Sequence, residues 1–213
     1  MKPFAFFKKH SKPAGKYWQL SDTLLNEIAG TRLPFTSRNY YSFCDKYLDE
    51  DAHEALFLDG EEKYFREIAA DYDILKYLYY LRAQYRETPV FCDIGCGIGN
   101  MVLYSGKMLF RSFGYEINTK LKPVHQKAKV EVLYGDILET DLSRLKDVDV
   151  IYLYRPINDA ALMNRLLALL HRHSKPDVTV LYNYPHTRAI KGYQTVLLGQ
   201  HDDMIALVKQ PTR

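Results

Sequence analysis

The sequence predicts an α/β fold: a doubly wound, mostly parallel seven-stranded sheet with a C-terminal antiparallel β-hairpin and an N-terminal helical cap. Three observations predict it. After Pro89, short β-like runs alternate with helical patterns, which is how parallel strands joined by helical crossovers read. The first run, Val90-Phe91-Cys92, enters Asp93-Ile94-Gly95-Cys96-Gly97-Ile98-Gly99-Asn100, a strand passing through a glycine-rich turn into a helix. Before Pro89 the spacing of apolar residues is helical instead.

Residues 1–20 read as a basic flexible tail, because Lys2, Lys8, Lys9, Lys12 and Lys16 have no acid among them. Ser21 can N-cap a helix over residues 22–29, with Gly30 just past its end and Leu24, Leu25 and Ile28 on its apolar face. A second helical region covers about 51–58. A third covers about 61–86, with Phe65, Ile68, Ala69, Tyr72, Leu75, Leu78 and Tyr79 near helical spacing. Pro89 closes this region, since the residue before proline avoids the α conformation. The chain therefore divides into a tail (1–20), a helical cap (21–87) and the main domain (88–213).

In the main domain, strands are expected at 90–94, 112–116, 130–134, 148–154 and 178–182. Their crossovers are helices at 98–109 and 118–127, a short turn near 138–145, and a helix at 159–171 with Ala161, Leu162, Leu166, Leu169 and Leu170 as its apolar face. Residues 193–198 and 204–209 read as the closing hairpin, joined through Gly199-Gln200-His201-Asp202-Asp203.

Composition bounds the rest. A chain of 213 residues with 47% hydrophobic content can bury one sizeable core. No apolar run approaches the roughly 18 residues needed to cross a bilayer, and the first residues lack a secretory h-region, so a cytoplasmic protein without a membrane partner is expected. The net charge of +3 does not by itself argue for nucleic acid. Eleven acids between residues 44 and 73 read as solvated helix faces. Three cysteines, Cys44, Cys92 and Cys96, suggest neither a disulfide framework nor a metal site.

In open parallel sheets, ligands bind beyond the C-terminal ends of the strands, so the residue ending each strand carries the functional reading. The first strand ends in the glycine turn, where glycine permits positive φ and close approach of a ligand. The second ends in Gly114-Tyr115-Glu116, and a carboxylate there can accept from both hydroxyls of a ribose. The third ends in Tyr134-Gly135-Asp136-Ile137, where Asp136 can accept from the exocyclic amine of adenine. A dinucleotide turn, G-x-G-x-x-G, would need glycine at Asn100. The turn instead reads Gly95-x-Gly97-x-Gly99 after Asp93, and an acid there suits a ligand bearing an amino group and no phosphate.

Taken together, Asp93–Gly99, Gly114–Glu116, Gly135-Asp136 and the closing hairpin resemble the class I S-adenosylmethionine-dependent methyltransferases over about residues 89–209. The resemblance implies S-adenosylmethionine as cofactor, with Asp93, Gly95 and Gly97 along its methionine part, Glu116 on the ribose, and Asp136 with Ile137 on the adenine. Cys96, Gly99, Asn100 and Ile117 complete the expected cofactor-binding set. Gly97-Ile98-Gly99-Asn100-Met101-Val102 and Gly114-Tyr115-Glu116-Ile117-Asn118 are similar to the seven-strand protein lysine methyltransferases, which implies a protein side chain as first-choice acceptor. The mitochondrial members of that group carry a membrane-anchoring segment before the domain, and no such segment is expected here. A small-molecule acceptor, or a cofactor-binding module without chemistry, are the other readings.

The fourth strand ends in Tyr152-Leu153-Tyr154-Arg155-Pro156, facing the transferred methyl. Enzymes that methylate nucleic-acid amines carry an Asn/Asp-Pro-Pro-aromatic segment there. Its absence counts against base methylation and makes Tyr154 and Arg155 the candidates for the acceptor site. Asn183-Tyr184-Pro185-His186, after the fifth strand, forms a second candidate wall. The aromatic segment at 35–43 is expected either to act as a lid over the cofactor or to pack against the edge of the sheet.

Overall fold

The structure is a computed structural model, and it describes residues 11–14, 17–20, 78, 81–82, 85–187, 189–198 and 204–210. The expected helices at 22–29 and 51–58 and the aromatic segment at 35–43 lie outside the described residues. Of the third expected helix, Leu78, Leu81 and Arg82 are described as helical, and Leu78 and Leu81 are fully buried. The chain has left the helix by Tyr85, a little before the expected end.

Nine strands are found among the described residues: β1 (Ser11–Ala14), β2 (Tyr17–Leu20), β3 (Val90–Ile94), β4 (Arg111–Glu116), β5 (Val132–Tyr134), β6 (Val150–Tyr154), β7 (Thr179–Asn183), β8 (Tyr193–Leu198) and β9 (Met204–Lys209). They form one sheet in the order β1-β2-β8-β9-β7-β6-β3-β4-β5. The seven strands from β3 onward are the expected doubly wound sheet. Strands β3, β4, β5, β6 and β7 are parallel, and β9 runs antiparallel to both β7 and β8.

Strands β1 and β2 lie within the residues read as a basic tail, and they extend the sheet beyond the expected seven strands. They pair antiparallel with each other, and β2 meets β8 at Gln19 opposite Leu198. The lysines and proline that suggested a tail are also what an outermost strand carries, because charge and a missing N–H block further pairing. Lys12 and Pro13 lie on β1, the outermost strand of the sheet.

Among the described residues of the main domain, three helices cover the sheet: α1 (Asn100–Lys107), α2 (Lys122–Ala128) and α3 (Ala160–His173). Helix α1 is shorter than its apolar pattern because Gly99 and Leu109 take left-handed conformations, φ 81° and 66°, at its two ends. Helix α2 follows a single 3-10 turn, Thr119–Leu121, whose entry is capped by the Asn118 side chain accepting from Lys120 N. Helix α3 is N-capped by Asp159, whose carboxylate accepts from Leu162 N at 2.8 Å. Its buried stripe is Met163, Leu166, Leu167 and Leu170, a strict i, i+3, i+4, i+7 set. The stripe is thus displaced from the expected one, and Ala161 is exposed.

Strands β3 and β7 are buried along their whole length, as parallel strands covered on both faces should be. Val90, Ile94, Phe113, Ile151, Leu153 and Val180 from the strands meet the α3 stripe in one hydrophobic cluster. This core holds the strand ends in register: Ile94 lies opposite Tyr115 on β4 and Leu153 on β6, Glu116 opposite Tyr134, and Tyr154 opposite Asn183.

Candidate functional site

The C-terminal ends of β3, β4 and β5 build the first half of the site. Three glycines in the turn after β3 have positive φ, 74° at Gly95, 53° at Gly97 and 81° at Gly99. Two of them are also spatially obligatory. A Cβ on Gly95 would lie 2.7 Å from Pro156 Cβ, and one on Gly99 would lie 2.9 Å from Val130 and 3.1 Å from the His125 ring. Gly97 is different, because a Cβ there would have nothing within 4 Å. Its open side is where a ligand can approach the backbone.

Around this turn stand two buried carboxylates. Glu116, at the end of β4, accepts from Gly97 N through Oε2 at 2.7 Å and from Asn118 N through Oε1 at 2.8 Å. Burial pushes its carboxyl up, while those backbone donors pull it back. With four lone-pair directions, the carboxylate keeps capacity for a ligand hydroxyl beside its backbone donors Asn118, Gly97 and Ile117. Asp93 is 3% exposed, and no hydrogen bond reaches its carboxylate among the described residues. Burial, and then the neighbouring Glu116, holds its carboxyl well above the usual range. Two acids confined in this way make a pocket that favours a cation.

The remaining expected cofactor residues take different positions. Asn100, 5% exposed at the start of α1, has a buried side-chain Nδ2 without a hydrogen-bond partner. Such an orphaned donor beside the turn suits an acceptor on a ligand. Cys96 points inward: a Cβ on Gly114 would sit 2.6 Å from its Sγ, and its N–H is already donated to Tyr115 O at 2.9 Å. Its part is packing, which makes room for the turn. Asp136 is half-buried and accepts from Leu138 N through Oδ1 at 2.9 Å. Ile117 and Ile137 are half-buried beside the two acids.

The ends of β6 and β7 build the second half. Tyr154 and Tyr184 meet edge to face with ring centroids 5.4 Å apart. Arg155 and Tyr184, each one residue past a strand, have φ of 41° and 50°. Left-handed backbone at a non-glycine residue costs on the order of 1–3 kcal/mol and gathers at functional sites. The structure thus brings Tyr154 and Arg155 to the edge that carries the glycine turn, and sets Tyr184 of the second candidate wall against Tyr154.

His186 lies behind this wall. Its Nδ1 is 2.9 Å from Tyr182 Oη and its Nε2 is 2.9 Å from Asn164 Oδ1 on α3. The amide oxygen can only accept, so Nε2 donates to it, and Nδ1 accepts from the tyrosine hydroxyl. Both nitrogens of the neutral ring are occupied, which suits an anchor for the loop better than a proton carrier. Burial, and then Arg155, lowers its proton affinity.

Two residues at the site carry no signal in the sequence: His125 on α2 and Tyr134 at the end of β5. His125 Nε2 is 2.7 Å from Gly97 O, and its Nδ1 is 2.5 Å from Tyr134 Oη. A histidine inside a short helix has no periodic or motif signature, and only the tertiary fold brings it under the turn. No group of three or more potential metal ligands occurs among the described residues. No described helix is long and apolar enough to cross a membrane.

No family model matches the chain, and no curated protein sequence matches it. Solved structures do. The chain is 22% identical, with a TM-score of 0.51 over 68% of its length and 95% of the other chain, to an RNA methyltransferase from Salinibacter ruber in complex with S-adenosyl-L-homocysteine. It is 16% identical to a TehB-like SAM-dependent methyltransferase from Corynebacterium glutamicum, with a TM-score of 0.47 over 63% and 86% of the two chains. A precorrin-6y C5,15-methyltransferase from Geobacter metallireducens matches at 14% identity and a TM-score of 0.47, over 72% and 96%. The first likeness shows that the chain has the class I methyltransferase fold.

Proposed function

We propose that this protein binds S-adenosylmethionine against the Gly95–Gly99 turn and transfers its methyl group to an acceptor at the ends of β6 and β7, acting in the cytoplasm. The observation that carries the reading is the pair of buried acids, Asp93 and Glu116, beside the open face of Gly97. A confined pair of carboxylates suits a ligand bearing an ammonium and a sulfonium. A dinucleotide would bring pyrophosphate to the same place, where these acids would repel it. The fold, shared with a methyltransferase crystallised with S-adenosyl-L-homocysteine, supports the same cofactor.

When bound, the cofactor supplies a methyl group on a positively charged sulfur that is a good neutral leaving group. Asp93 would hold the positive end, Glu116 the ribose hydroxyls, and Asp136 the adenine amine. Asn100 Nδ2 would donate to a ligand acceptor, with Ile117 and Ile137 against the apolar faces. In-line displacement depends chiefly on alignment, so the protein's task is to hold nucleophile and methyl in line and to exclude water.

The acceptor we propose is a protein side chain such as lysine, which must arrive as the neutral amine. Tyr154 and Tyr184 can pack along its methylene stem. Arg155 favours the anionic form of Tyr182 and disfavours the cationic form of His186, and by the same repulsion it would disfavour an incoming ammonium. Titration calorimetry with S-adenosylmethionine, S-adenosylhomocysteine and nicotinamide dinucleotide tests the first level. Tight binding of the dinucleotide alone overturns it. Transfer of labelled methyl from the cofactor into fractionated lysate then separates protein from small-molecule acceptors.

A further inference from the structure

We propose that His125 is a positioning residue that locks the Gly97 peptides in the orientation presented to the cofactor, an inference that rests on the S-adenosylmethionine reading above. Gly97 has φ 53° and open space where a side chain would be. Glycine has almost no intrinsic preference for that conformation, and nothing packs on it to impose one. Both of its polar groups are nevertheless tied: its N–H donates to Glu116 Oε2 at 2.7 Å, and its carbonyl lies 2.7 Å from His125 Nε2. One tie fixes the peptide before Gly97 and the other the peptide after it, so φ and ψ are both held from outside.

The chemistry also assigns the ring's tautomer. A carbonyl oxygen only accepts, so Nε2 carries the hydrogen, and Nδ1 accepts from the Tyr134 hydroxyl. His125 is 2% exposed, and burial lowers its proton affinity, which favours this neutral form. Burial likewise pushes the Tyr134 hydroxyl up to about 12, so that it remains a donor. Tyr134 ends β5, two residues before Asp136. The same ring therefore ties the turn after β3 to the end of β5, joining the methionine and adenine ends of the proposed cradle.

The test compares His125→Leu, His125→Gln and Tyr134→Phe with the wild type in the full-length chain. Leucine fills the volume without a donor, whereas glutamine places an N–H near Nε2. Binding of S-adenosylhomocysteine should weaken about tenfold in His125→Leu, the worth of one buried hydrogen bond, and within about threefold in His125→Gln. The maximum rate at saturating cofactor should be retained. Hydrogen exchange of the Gly97 amide should accelerate in His125→Leu and much less in His125→Gln, and Tyr134→Phe should fall between them. Equal weakening by leucine and glutamine would assign the effect to packing and overturn the proposal, as would unchanged binding in His125→Leu. If the wild type binds no S-adenosylhomocysteine, the cofactor reading falls. Exchange then decides the tie alone: acceleration confined to His125→Leu supports it, and no change overturns it.

Discussion

The Glu116 carboxylate on β4 accepts the Gly97 amide of the turn after β3 at 2.7 Å, while its other oxygen accepts from Asn118 N. One side chain thus holds backbone on both sides of itself. Glu116→Ala should lower cofactor affinity by roughly 1–3 kcal/mol and also lower Tm, since two backbone donors lose their acceptor. Glu116→Gln should rescue neither fully, because its amide offers an acceptor on one side only. Calorimetry and thermal unfolding measure both.

Asp93 should behave in the opposite sense for stability. Its carboxyl is raised in the folded protein, so the folded state holds the proton more tightly than the unfolded one, and stability falls as pH rises from the ordinary carboxylate range through the raised value. Asp93→Asn should therefore raise Tm at pH 8, with the gain vanishing in acid. Affinity for S-adenosylmethionine should drop more than affinity for S-adenosylhomocysteine, whose sulfur is uncharged. Equal losses would place Asp93 away from the sulfur.

The glycines of the turn should separate into two kinds. Gly95→Ala forces a Cβ to 2.7 Å from Pro156 and should cost folding stability first. Gly97→Ala meets no protein atom within 4 Å, so the left-handed backbone should cost only about 1–2 kcal/mol. Its methyl, however, stands in the proposed ligand volume. Loss of cofactor binding with most of the stability kept is the expected outcome, read by the same two measurements.

At the acceptor wall, Arg155→Gly removes the guanidinium and relieves the φ of 41° together. Tm should hold or rise. Methyl transfer to an amine should slow at neutral pH and recover toward alkaline pH, because the acceptor amine then keeps its ordinary, higher pKa. A pH profile that does not move would remove Arg155 from that role.

Much of this architecture is legible in the sequence where local and global preferences agree. The bounds of β3, β8 and β9 can be read directly, because each is an apolar run closed by glycine or charged residues. Strand β5 starts at Val132 rather than 130, since Val130 N donates to His125 O in closing α2. Helix α1 starts at Asn100 because Gly99 remains left-handed, a choice no apolar pattern reports. The acids Asp93, Glu116 and Asp136 are legible because a parallel sheet places strand ends together. The roles of His125 and Tyr134 are not, because their importance lies in contacts between segments far apart in the chain.

The pairing of Gln19 with Leu198 bears on how the protein is made. Strands β1 and β2 leave the ribosome early, yet the edge they join is completed only when β8 has been synthesised and has met β9. Until then they have no sheet to extend, and contacts between such distant residues are slow to form. During synthesis the turn between β3 and α1 can take shape while the outer edge of the sheet is still waiting for its partner.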